Sequence, residues 1–397
     1  MNPFLRKAAV LDSSSITRIF MGKSQNESRI MLEKYAVLIH LTTFLRIRAE
    51  RRIFHNKSFF DLLENMYTIN SLLMVLFRDT MKSSMSMEHK RRLAFGVVRI
   101  VFGLVWLINT WLQFNPAYAA HFLGSFNADW VSGQPDWIIQ YGHWMANLVQ
   151  HIGPQSVAYG TVGLDAILAV ALITGLGLPF LAGVGVLYNL WLWSTVGGFG
   201  GPYTQGATDP GTAIIYALCF VYVIWSRSWE GLSLSKVPHK PLYAPAMHTA
   251  RILFGLLWAF DAFWKWQPYF LHNAVTYLQQ ALPGEPVWIA AYISFVIAVI
   301  NLAGPVLFGY VAAIMESIIA FFLLIGRGLR WIIPVGIAYS FGVWTTAEGW
   351  GAPYLPGSTA NKGDVLGTTN IYIIAFLFLA AWVYFTPRAQ RRGDGDA

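Results

Sequence analysis

The stretch Gly198–Thr208 reads GFGGPYTQGAT, and the chain says nearly the same again at Gly349–Thr359, GWGAPYLPGST. Glycines at this density let a backbone turn where a side chain would clash, and Pro202 and Pro353 fix the turn. Two such phrases predict two copies of one hairpin, and the flanks extend the match. Arg99–Pro116 (RIVFGLVWLINTWLQFNP) aligns without gaps with Arg251–Pro268 (RILFGLLWAFDAFWKWQP). Leu164–Gly177 (LDAILAVALITGLG) aligns with Met315–Gly328 (MESIIAFFLLIGRG), which sets Asp165 opposite Glu316. Gly211-Thr212 and Ile215-Tyr216 return as Gly367-Thr368 and Ile371-Tyr372, with five extra residues in the intervening loop of the second copy. The chain reads as a tandem duplication.

The medium follows from composition. Of 397 residues, 55% are hydrophobic and only 12% charged, against about a quarter charged in a soluble domain. That points to an integral membrane protein. Apolar runs fall at about 93–114, 155–174, 179–196, 212–226, 249–266, 305–325, 331–346 and 367–385. Lipid allows only helices or closed barrels to cross it, and runs this apolar are helices. The expected fold is all-α: two tandem four-helix units, about eight transmembrane helices in total, related by a pseudo-two-fold axis along the membrane normal.

Eight spans put both ends of the chain on one side. Lys90, Arg91, Arg92, Arg227, Lys236, Lys240, Arg327, Arg330, Arg388, Arg391 and Arg392 share that side, with only Lys265 and Lys362 opposite. The positive-inside bias makes both termini cytoplasmic, in the plasma membrane. Residues 137–152 (WIIQYGHWMANLVQHI) gather Trp137, Tyr141, Trp144 and Leu148 on one helical face and His143, Asn147 and His151 on the other. This is the pattern of an interfacial helix. Its counterpart, 287–303, is more apolar and is either interfacial or a span. The units are 90–232 and 247–387, with a cytoplasmic linker at 233–246 and a cytoplasmic tail at 388–397.

Residues 1–89 differ in character, with 13 Lys/Arg against 8 Asp/Glu. They are either a cytoplasmic or membrane-surface arm, or the product of a start codon placed too early. No signal-peptide pattern opens the chain. Cys219 is the one cysteine, which excludes an internal disulfide and any multi-cysteine metal site. No histidine lies centrally in an apolar run, so neither a bis-histidine haem nor a metal is expected.

Ionisable groups inside a membrane are costly and need partners or a task. Helical rise places Arg99 and Asp165 at similar depth, and Arg251 and Glu316 repeat the arrangement. Two intramembrane ion pairs are expected, Arg99–Asp165 and Arg251–Glu316. They either pin helices or form a proton-exchanging site. Asn109 and Asp261 occupy equivalent positions, so the halves differ chemically. Tyr203, Asp209, Tyr354 and Asp364 in the hairpins complete the set of candidate substrate or quinone contacts.

The phrase GGFGGPYTQGATDPGTAIIYAL (197–218), with RIVFGLVWL before it, resembles the DoxD/DoxX family. DoxD is the membrane-embedded large subunit of thiosulfate:quinone oxidoreductase. The resemblance is strongest over about 90–230, weaker over 245–386, and does not reach residues 1–89. It implies oxidation of thiosulfate to tetrathionate with electrons passed to membrane quinone. It also implies a small DoxA-like partner, a lipid environment and no nucleic acid. A membrane scaffold without activity and a small-solute transporter are the alternatives.

Overall fold

The computed structural model describes residues 86–114, 116–127, 134–201, 207–234, 238–240, 242–351 and 366–386. The extension before residue 86, the tail after 386, and Tyr203, Tyr354 and Asp364 lie outside the described residues. Among the described residues the regular structure is entirely helical. The helices are α1 (Met87–Gln113), α2 (Pro116–His121), α3 (Asp136–Ile152), α4 (Pro154–Thr174), α5 (Leu178–Ser194) and α6 (Thr212–Ser226). There follow α7 (Ala244–Lys265), α8 (Pro268–Ala281), α9 (Val287–Ala303), α10 (Pro305–Ile325), α11 (Leu329–Thr346) and α12 (Thr369–Phe385).

Local chemistry sets these boundaries. Pro154, Pro268 and Pro305 open helices, where the missing N–H costs nothing. Gly175 and Gly326 close α4 and α10 in the left-handed conformation, the usual glycine stop. A single residue joins α3 to α4 and α9 to α10: Gly153 at φ 103° and Gly304 at φ 111°. Only glycine adopts that backbone at little cost.

Three helices, α1, α4 and α10, are long and apolar enough to cross a membrane, and α5, α6, α9 and α12 are apolar but shorter. Phe180, Leu187, Phe321 and Trp331 point outward at 75, 70, 58 and 82% exposure, an apolar periphery of the kind lipid covers. Helix α9 buries Ile289, Ile293, Ile297 and Ile300. That stripe packs on α8 and on Phe308, Ala347 and Trp350. Tyr292 Oη lies 3.2 Å from Thr345 Oγ1, as Tyr141 Oη lies 3.2 Å from Ser194 Oγ in the first half. Both α3 and α9 therefore pack at the hairpin ends of α5 and α11.

One continuous core joins the halves. Tyr222 of α6 stacks on Phe378 of α12, with centroids 5.6 Å apart and planes at 3°. Thr212 and Thr368 hydroxyls meet at 2.5 Å. In each case the two partners occupy the same place in the two sequence copies.

The repeated phrase opens each hairpin with a short 3₁₀ turn, Gly198–Gly200 and Gly349–Gly351. Its backbone dihedrals recur: Phe199 and Trp350 at φ 58° and 59°, Gly200 and Gly351 at φ 83° and 81°. The turns press against the strand of chain that enters the last helix of each half. A Cβ on Gly200 would stand 2.3 Å from the Pro210 carbonyl oxygen, and one on Gly351 would stand 2.5 Å from the Leu366 carbonyl. Trp193 Nε1 donates to Pro210 O and Trp344 Nε1 to Leu366 O, each at 2.7 Å. The tryptophan that ends α5 or α11 thus satisfies a carbonyl the turn leaves open.

Gly351→Ala adds a positive-φ penalty and a backbone clash, and is expected to cost about 1–3 kcal/mol or more. Gly342→Ala, in α11 with nothing within 4 Å, is expected to be neutral or slightly stabilising. Thermal unfolding of both variants in detergent checks this, and equal losses would contradict it.

Candidate functional site

The two expected ion pairs do not form. Arg99 Nη2 donates to Leu232 O at 2.9 Å and to Ile173 O at 3.5 Å. Arg251 Nη1 donates to Leu324 O at 3.0 Å and also to Leu323 O. These acceptors include the last carbonyls of α4 and α10, which have no partner within their own helices. A cation is favoured at that negative end of the helix dipole. The helices pass each other in a different register from the one equal depths require. Gly103 of α1 packs on Leu172 and Ile173, and Gly255 of α7 on Leu323 and Leu324. Asp165 lies two turns further along α4, on the order of 10–15 Å from the Arg99 level by helical rise.

The carboxylates find other company. In the first half Tyr188 Oη donates to Asp165 Oδ2 at 3.4 Å, and Asn109 donates to Tyr216. In the second half the matching places hold a charged cluster. Tyr339 Oη donates to Glu316 Oε1 at 2.8 Å, and Tyr372 Oη to Asp261 Oδ2 at 2.6 Å. Lys265 Nζ pairs with Glu316 Oε1 at 3.4 Å and donates to Thr208 O at 2.8 Å. It also sits 5.0 Å from the Phe270 ring centre, a second favourable contact for a cation.

Asp261 and Glu316 are each only 4% exposed. Asp261 Oδ1 and Glu316 Oε2 have no hydrogen-bond partner, and neither has the indole nitrogen of Trp258 beside them. All three residues line a cavity of about 410 Å³, together with Lys265, Tyr339 and Tyr372. That volume is in the range of small-molecule sites, about 300–1,000 Å³. Asp209, from the first half's hairpin, reaches the same cavity. Its Oδ1 accepts Gly211 N at 2.8 Å. Glu348 lines the cavity too, but it caps α12, accepting Thr369 N at 3.1 Å and Thr369 Oγ1 at 2.9 Å. Tyr277 on α8 completes the wall, its phenol pushed up to about 12 by burial, so it stays neutral.

The cavity thus brings together Asp261, Glu316 and Asp209 of the expected residues. It separates them from Arg251, Arg99, Asp165 and Asn109. Lys265, Tyr339 and Tyr372 are functional candidates that the sequence reading passed over. A signal existed: Lys265 lies four residues after Asp261, the spacing of one helical face. Gln113 stands at its place in the first half, so acid and cation appear together only in the second copy. Among the described residues no cluster of His, Cys, Asp and Glu is arranged to hold a metal. Compared with known proteins, the chain matches no family model, no curated protein and no solved structure.

Double-mutant cycles separate the observed pairing from the expected one. Lys265→Met with Glu316→Gln should show coupling of about 1–3 kcal/mol, and Arg251→Met with Glu316→Gln should be additive within about 0.5 kcal/mol. Denaturant unfolding in micelles reads both, and the reverse ranking would restore the Arg251–Glu316 pair.

Proposed function

We propose that this chain is the membrane, quinone-facing subunit of a thiosulfate:quinone oxidoreductase of the DoxD/DoxX kind. In this reading it has eight transmembrane helices in two tandem four-helix units about a pseudo-two-fold axis, with both termini cytoplasmic in the plasma membrane. The stacking of Tyr222 on Phe378 and the Thr212–Thr368 contact support such an axis, since each joins equivalent positions. Helices α3 and α9 then lie at the outer interface, and Arg99 and Arg251 cap helix ends toward the cytoplasm.

The observation that carries the function is the Lys265–Glu316–Asp261 cluster facing a cavity near the hairpin end of the second half. A quinone headgroup is uncharged and offers two carbonyl acceptors. Lys265, Trp258 and a protonated carboxyl are the donors for them. Quinone takes up two electrons and two protons to become quinol, and Lys265 and the cavity carboxyls are the groups that would pass it protons. Two thiosulfates supply the two electrons as they join through a new sulfur–sulfur bond into tetrathionate. Carboxylates outnumber the cation in the cavity, so a dianion is repelled there. Thiosulfate oxidation is therefore assigned outside the cavity, at the outer face or on a small DoxA-like subunit.

That same excess of carboxylates favours a second reading, a carrier for a small cation. The two diverge in one assay: membranes carrying the chain and a candidate small subunit, with thiosulfate as sole donor and a soluble quinone analogue as acceptor. Lys265→Met is expected to lower turnover about a hundredfold or more, while Gln113→Ala in the first half leaves it unchanged. Full turnover in Lys265→Met removes the cavity from the reaction. No turnover in the intact protein, with cation flux in liposomes, selects the carrier.

A further inference from the structure

The cavity belongs to the second half, yet part of its wall comes from the first. The segment Thr208–Asp209 follows the first hairpin, and its Thr208 carbonyl accepts from Lys265 Nζ at 2.8 Å. Asp209 is half-buried, whereas Asp261 and Glu316 are nearly sealed, at 4% exposure each. All three line the same cavity. Asp209 shares that lining with both buried acids, Tyr372 and Tyr277. The charged and titratable groups around it are thus Asp261 and Lys265 from α7, Tyr277 from α8, Glu316 from α10, Tyr339 from α11, Tyr372 from α12, and Glu348.

Two buried acids beside one lysine cannot both stay ionised cheaply, since a net negative charge in a low-dielectric site is strongly disfavoured. A proton shared by the pair would relieve that charge, and it would have to enter and leave. Lys265 is fixed between Glu316 and Thr208, and Glu348 is committed to the start of α12. Asp209 and Glu348 are the cavity acids that are also partly exposed, and Asp209 is the one next to Thr208, whose carbonyl holds Lys265. We propose that Asp209 is the proton-exchange residue of this cavity: its carboxylate takes a proton from water on the hairpin side and passes it to the Asp261–Glu316 pair. The first repeat thereby supplies the proton inlet for the site in the second. This rests on the cavity being a proton store, and not on quinone being its ligand.

A purely structural role for Asp209 exists in its two bonds: Oδ1 accepts from Gly211 N at 2.8 Å and Oδ2 from Thr208 Oγ1 at 3.2 Å. Asparagine makes the same turn with its side-chain oxygen, so Asp209→Asn keeps the turn and removes the titratable group. The full chain in lipid nanodiscs would be moved from water to heavy water. The shift of its buried carboxylic C=O bands would be followed by infrared spectroscopy, with the bands assigned by their loss in Asp261→Asn and Glu316→Gln. Asp209→Asn is expected to slow the exchange about a hundredfold. Asp209→Glu should restore it, and so should added formate as a diffusible proton carrier. Unchanged exchange in Asp209→Asn would overturn the proposal. So would slowing that formate does not relieve, or the absence of any protonated band in the unaltered protein. No donor or quinone is present, so a failure of thiosulfate-dependent turnover would leave this result standing.

Discussion

Backbone carbonyls and N–H groups that end a helix inside apolar surroundings must find a partner there, and this constraint organises both halves. At one end of each half an arginine supplies the donors, Arg99 for α4 and Arg251 for α10. At the other end a tryptophan donates to a carbonyl of the loop that enters the last helix, Trp193 to Pro210 and Trp344 to Leu366. Glycines sit beside both devices because the satisfying groups approach the backbone closely. The Arg99 Nη1 atom would stand only 2.6 Å from a Cβ on Gly175. The repeated motifs thus place donors against open carbonyls, and their recurrence needs no shared catalytic role.

With the helix ends satisfied in the same way, the interiors were free to diverge. Asn109 and Gln113 are neutral, and their counterparts Asp261 and Lys265 are charged. The first half needs only neutral partners for its polar pair, Asn109 and Tyr216. The second half gathers a lysine, two acids and two tyrosines around a cavity. Burying such a cluster costs stability unless its charges pair, and the oxygens left without a partner mark where a ligand or proton has most to gain. This division gives the helix-end devices to both copies and the charged cavity to one.

The all-helical architecture and most helix limits were legible in the sequence. Hydrophobic runs, glycine stops and proline starts are local signals, and the runs at 212–226 and 305–325 coincide with α6 and α10. The halves' chemical difference was also legible, at Asn109 against Asp261. Which charges meet was not. Sequence spacing gives depth along one helix but not the sliding of one helix past its neighbour. The sliding sets Arg251 against Leu323 and Leu324, and Glu316 meets Lys265, about four turns along α7 from Arg251. That register is decided by side-chain packing at Gly103 and Gly255, through contacts between residues far apart in the chain. Likewise only the tertiary structure carried Asp209 of the first copy into the cavity of the second, because contacts between the copies join residues far apart in the chain.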